Sequence, residues 1–207
     1  MDEDYIIDSW NYYLAIEQEL ANTSRYVEPI GQEEVYSFEF ARIIITSCVE
    51  AEALFKSICK AIDPESKPGN LGQYKGIILK SFPQIVEAKV YPRRLRREIA
   101  PFEEWGNTDL LWWDAYSDVK HNRKDNIKKA SYINAVTSVA AVYVLNFYLA
   151  EILRLDFANY ESQYFTSDYA LTPAFFAPNE SLPGFEKRHN GYQYKYIEGK
   201  KAPNDEC

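Results

Sequence analysis

Apolar residues recur at three- and four-residue steps through most of the first 155 positions, a spacing that predicts amphipathic helices. Ile6, Trp10, Tyr13, Leu14 and Leu20 mark a first helix from about Tyr5 to Asn22. Ile44, Cys48, Ala51, Phe55, Ile58 and Ile62 form the stripe of a second, longest helix over Gln32 to Ile62. Asp63-Pro64 and Pro68-Gly69-Asn70 end it, because a residue before proline is driven out of helical conformation. A short third helix is expected over Leu71–Ser81, stopped by Pro83.

The period then shortens. Val86–Tyr91 and Arg97–Phe102 alternate around a proline-bearing connection, which predicts a small β-hairpin. Asn107-Thr108-Asp109 is an N-cap signal for a fourth helix, Leu110 to His121. Asp125-Asn126 restarts a fifth, Ile127 to Leu155, with no formal charge from Ala130 to Ala150. That run is long enough for a membrane span. Asn134, Thr137, Ser138 and Asn146 dilute it, so a helix buried at the centre of a bundle is the expectation, with no membrane partner.

The pattern divides the chain into a helical bundle over 1–157 and an irregular extension over 158–207. Pro173, Pro178, Pro183 and Pro203 punctuate the extension. Its aromatics, among them Tyr160, Phe165, Phe175 and Phe185, are too many for a free tail. It is expected to pack across the bundle, with the last residues, from about Glu198, frayed.

Composition changes this picture in two respects. The net charge of −8 over 207 residues excludes a general nucleic-acid-coating protein. The charge is uneven: residues 89–129 hold ten Lys/Arg against seven Asp/Glu, leaving +3 there and −11 elsewhere. Any anionic ligand should therefore meet the middle third. The three cysteines include no CxxC pair. Cys48 and Cys59 lie on one predicted helix, about 16 Å apart at the helical rise, too far to bridge. Together with an acidic N-terminus unlike a secretory signal, this predicts a cytoplasmic location.

The candidate chemistry is concentrated in one stretch, Trp112-Trp113-Asp114-Ala115-Tyr116-Ser117-Asp118-Val119-Lys120-His121-Asn122-Arg123. Three large aromatics within five positions anchor a helix that ends on a cationic tip. Asp114, Ser117, Asp118 and His121 share one helical face by their spacing. Arg93, Arg94, Arg96 and Arg97 sit at the hairpin turn, where they read either as a solvated loop or as a phosphate-facing clamp. Glu50 and Glu52 interrupt the apolar second helix, as a solvated face or with one of them turned inward to hold a cation. No metal site is expected, since His121 with Glu50 and Glu52 is a poor ligand set. No Gly-rich phosphate loop, dinucleotide fingerprint or nucleophile elbow is present, and no cofactor is expected. His189 reads as an exposed turn in the extension.

Three pieces in order resemble the HEPN superfamily, whose members are four- or five-helix bundles that often dimerise. The stretch from Trp112 to Arg123 is similar to the WWxAYNxVKHxR signature of a group of bacterial HEPN-like proteins. Cys48-Val-Glu50-Ala-Glu52-Ala-Leu54-Phe-Lys56 resembles that group's second helix, and Pro101-Phe102-Glu-Glu-Trp105 its Pro-Phe-x-x-Trp connection. The resemblance covers roughly residues 10–155. It implies an all-α HEPN-like bundle of four to five helices, here with a β-hairpin insertion and an aromatic C-terminal extension. It also implies a homodimer, RNA as a ligand, and an antitoxin or defence partner.

Two functions follow as expectations. One is a non-catalytic dimerisation, RNA-binding or regulatory module in phage defence or stress response. In it, His121 hydrogen-bonds Glu50, Glu52 or a helix-end carbonyl, and the basic tip offsets the helix dipole. The other is a metal-independent endoribonuclease of toxin or abortive-infection type. There His121 would move protons, Arg123 and Lys120 would hold phosphate charge, and Asp118 or Ser117 would orient the imidazole, with Glu50 and Glu52 behind it. Acid–base help of this kind is worth about 10² to 10⁴ in rate. In active HEPN ribonucleases an arginine precedes the histidine by four to six residues. Here Ser117, Tyr116 and Ala115 occupy those positions, and the arginine follows at 123.

Overall fold

The computed structural model describes residues 3–153, 176–177, 185–187 and 194–196. Five α-helices build the fold: α1 (Glu3–Thr23), α2 (Phe38–Ile62), α3 (Leu71–Ser81), α4 (Leu111–Asn126) and α5 (Tyr132–Ile152). The described strands are two-stranded fragments only. The chain is thus an all-α helical bundle.

Helices α2 and α5 form the central pair, with α1 packed on both. In α5 most side chains are enclosed, from Tyr132 and Val136 through Tyr143, Leu145 and Leu149. The helix is long and apolar enough to cross a membrane, but 78% of its apolar window is buried inside the fold, the environment of a core helix. Rings fill the space between elements: Trp10, Tyr13, Tyr143 and Phe147 interlock between α1 and α5. A second aromatic group surrounds Phe55, with the Tyr74, Trp105 and Trp113 rings 5.7, 5.2 and 5.9 Å from it.

Helix α2 starts six residues later than its apolar pattern predicts. The segment before it turns at Glu33-Glu34 and then runs into a bridge at Tyr36, because its backbone is used elsewhere. Tyr132 N–H donates to the Val35 carbonyl at 2.8 Å, Ile133 N–H to that of Glu33 at 3.0 Å, and Ser37 N–H to that of Ala130 at 3.3 Å. Ser37 then caps the helix, its hydroxyl accepting from Phe40 N–H at 3.0 Å. The start of α2 and the start of α5 are therefore sewn together at one end of the bundle.

The expected hairpin is reduced to one bridge, Val90 to Ile99. Residues Pro83–Glu87 form a 3-10 turn instead of a strand. Beyond the bridge, β1 (Tyr91–Pro92) pairs antiparallel with β2 (Phe176–Ala177) of the extension. Pro92 has no N–H with which to continue a ladder toward its own partner strand. A further pair, β3 (Phe185–Lys187) with β4 (Tyr194–Tyr196), lies within the extension. The expectations of a fraying end and of a turn at His189 fall outside the described residues.

The N-cap expected at Asn107-Thr108-Asp109 is also replaced. Helix α4 begins at Leu111 with no side-chain cap. Thr108 turns back into the preceding 3-10 turn, its hydroxyl donating to the Glu104 carbonyl at 3.4 Å. Leu110, fully buried, instead sets the start through its carbonyl, which accepts from Trp113 and Asp114 N–H at 2.9 Å each. Packing of an apolar residue decided the boundary.

Candidate functional site: the cationic corner between α4 and α5

The double tryptophan holds α4 in place. Trp112 is 1% exposed, and its Nε1 donates to the Pro101 carbonyl at 2.8 Å. It meets Phe102 and Trp113 edge-on at centroid distances of 6.2 and 5.7 Å. Ala115, Tyr116 and Val119 continue the buried face. Three residues on, the helix runs out of core. Asn122 adopts φ −147°, ψ 73°, which breaks α4 immediately after His121. Asn122 Nδ2 donates to Asp125 Oδ2 at 2.7 Å, and Asn126 Nδ2 to the Asp118 carbonyl at 3.2 Å. These bonds secure the turn that follows.

The break leaves Lys120, His121, Arg123 and Lys124 exposed on one corner, with Lys128 and Lys129 of the α4–α5 connection. Most of the partners a working histidine would need are committed elsewhere. Asp118 forms an ion pair with Lys129. Lys120 Nζ donates to the Tyr116 hydroxyl at 3.1 Å, and that bond, with Glu52 contributing at longer range, holds its ammonium above the ordinary lysine range. The Arg123 guanidinium lies 5.7 Å from the centre of the Phe38 ring. Ser117 is half-buried and its hydroxyl bonds no described residue. His121 is exposed and has no hydrogen-bond or ion-pair partner among the described residues. The expectation that His121 bonds Glu50, Glu52 or a helix-end carbonyl is therefore corrected, as is the expectation that Asp118 or Ser117 orients its ring. Asp118 lies one turn before His121, but an exposed lysine ammonium competes for it and wins.

The two glutamates separate. Residues two apart on a helix point about 200° apart. Glu50 turns inward toward α1 and accepts from the buried Ser9 hydroxyl at 2.6 Å, while burial raises its carboxyl above the usual range. Glu52 pairs with Lys56 at 2.7 Å on the side facing Lys120. The inward glutamate thus meets a hydroxyl, and no cation among the described residues. Among the described residues no group of three or more His, Cys, Asp or Glu side chains could hold a metal. Asp114 is raised by burial, then by Asp109 and Asp118, which share its acidic stripe.

The arginine turn folds around a buried residue. The Pro92 carbonyl accepts from Leu95 and Arg96 N–H at 3.0 and 3.1 Å, and Leu95 points inward at 4% exposure. Arg93, Arg94, Arg96 and Arg97 are consequently all exposed, with Arg96 at a left-handed φ of 54°. Arg94 is close enough to the hydroxyl of Tyr132, the first residue of α5, to act on it electrostatically. Among the described residues no contact joins these arginines to His121 or Arg123. They share an end of the bundle with the corner without forming one cluster with it.

Sequence reasoning missed Phe38. Its ring is 74% exposed at the first position of α2, and Tyr36, two residues earlier, is 46% exposed. The signal was present: Ser37 followed by Glu39 is an N-cap with an acidic first turn, and starting α2 there places Phe38 outside the buried stripe. No family model, curated protein or solved structure matches the chain.

Proposed function

We propose that this protein is a HEPN-like bundle acting as a non-catalytic RNA-binding module, serving phage defence or stress response as a cytoplasmic homodimer. One observation carries the reading: the corner presents cations to solvent, while the carboxylates that could position His121 for proton transfer, those of Asp118, Glu50 and Glu52, are engaged with other partners. Lys124 and Lys128 have no ion-pair partner among the described residues, nor do the four arginines of the turn. Such free exposed cations suit phosphate contacts. A histidine with no orienting partner gains little from acid–base chemistry, which depends on position as well as pKa.

The test is RNA binding by fluorescence anisotropy across a salt series. Each phosphate contact on a single strand contributes about 0.7 to the slope of log K against log salt. Replacing Lys124 and Lys128 together by glutamine should lower that slope by about 1.4. Absence of RNA binding by the wild type at low salt would exclude the reading.

A second reading, the endoribonuclease, is favoured by the exposure of His121 beside Arg123 and Lys120. It requires RNA to complete the site by ordering the imidazole, with Arg123 leaving Phe38 for phosphate. Cleavage of RNA and growth arrest on expression, both lost in His121→Ala, would establish it. Equal outcomes for wild type and His121→Ala would leave binding alone.

A further inference from the structure

An exposed phenylalanine at the first turn of a capped helix contributes little to the fold that carries it. Ser37 already supplies the cap, and Phe40, two residues on, supplies the core contact, being 1% exposed and packed against Tyr132. Phe38 nonetheless stands at 74% exposure, with a guanidinium over one part of its ring. Tyr36 is bridged to Ser131, and Ser37 is extended at φ −156°, ψ 166°. Exposure accordingly alternates over residues 35–38, with Tyr36 and Phe38 outward and Val35 and Ser37 half-buried. With Ser37 extended between them, Tyr36 and Phe38, the first residue of α2, have Cα atoms about 7 Å apart. Two exposed rings thus occupy neighbouring positions.

The surroundings identify the ligand. From Lys120 to Lys129 the chain carries five Lys/Arg and one Asp. Of the acidic residues beside the rings, Glu39 is occupied by Arg42 at 2.6 Å. Glu33 and Glu34 lie on the N-terminal side of Tyr36, which leaves the cationic path on the α4 side. Exposed rings with a guanidinium over one of them, next to a cation-rich stretch, suit a chain of planar bases joined by phosphates, and a duplex, whose bases are already stacked, cannot use the rings. We propose that Tyr36 and Phe38, with Arg123, form a stacking platform for unpaired bases of single-stranded RNA. The proposal rests on the RNA-binding reading above and assigns its substrate class: unpaired bases lie on the platform while Lys124 and Lys128 follow the phosphates.

The experiment uses the full chain and a short fluorescein-labelled oligouridine, with a duplex RNA of the same length as control. Phe38→Ala should weaken single-strand binding about 5- to 150-fold, the range for loss of one stacked base. It should leave the salt slope and duplex binding unchanged, and Phe38→Trp should restore affinity. Because both rings are exposed, the variants should keep the wild-type circular dichroism and melting temperature. If the wild type binds RNA and Phe38→Ala binds equally well, the platform is wrong while the RNA-binding reading stands. If the wild type binds neither RNA, both fail. If Phe38→Ala dissociates a dimer in sedimentation and leaves RNA affinity unchanged, the patch is a self-association surface and the proposal is overturned.

Discussion

Two buried tryptophans differ in one atom's circumstances, and that difference makes a quantitative test of how α4 is held. Trp112 and Trp105 are 1% and 0% exposed, and both sit in the aromatic group that includes Phe102. The Trp112 Nε1 donates to the Pro101 carbonyl at 2.8 Å, whereas the Trp105 Nε1 has no hydrogen-bond partner among the described residues. Replacing either by phenylalanine removes a similar ring volume. In Trp112→Phe the Pro101 carbonyl is also stranded in the interior, at a cost of about 1–3 kcal/mol. In Trp105→Phe the substitution deletes a donor that was already unsatisfied, which partly offsets the lost packing. Trp112→Phe should therefore be the less stable variant by about 2 kcal/mol. At this chain length that corresponds to a melting temperature lower by roughly 4–8 °C. Urea denaturation followed by tryptophan fluorescence and far-ultraviolet circular dichroism measures the difference, with an unchanged m-value showing that the unfolded states are comparable. Equal stabilities, or a less stable Trp105→Phe, would refute the claim that the indole–carbonyl bond positions α4.

Two further outcomes follow from the same geometry. Burial raises the Glu50 carboxyl in the folded state, so the folded protein holds that proton more tightly than the unfolded chain. The associated stability is present below the unfolded pKa and is lost as pH rises through the folded one, above the ordinary value of 4.5. Glu50→Gln, which keeps an oxygen for the Ser9 hydroxyl, should gain stability over the wild type as pH rises from acid to neutral. A stability difference that stays flat across that range in urea melts would contradict the assignment. Ser37→Ala should cost about 1 kcal/mol through loss of the α2 cap, and Ser37→Asn should recover most of it; equal losses in both would show that the cap carries no energy.

How far the sequence alone reaches is visible in particular elements. The stripes of α1 and α2 and the uncharged run of α5 follow from a period of 3.6 and from the solvent cost of apolar surface, and the end of α3 from Pro83, so they are legible without coordinates. The end of the regular part of α4 at His121 was legible too, because the apolar face stops there and polar residues follow. Starts were less so. The first turn of α2 gave way to backbone bonds with α5, and the polar cap signal before α4 gave way to a buried Leu110.

Within the site, the residue types at the tip were set by the chain, and their partners were not. That Lys129 takes Asp118 and that Arg123 lies on Phe38 depend on where α4 turns at Asn122 and on the joining of α2 to α5, whereas the Lys120–Tyr116 bond follows from their four-residue spacing on one helix. Local periodicity settles which surfaces are buried, since hydration acts on each residue separately. Which exposed charges meet is decided by directional contacts between elements distant in sequence, and only the folded arrangement brings those elements together.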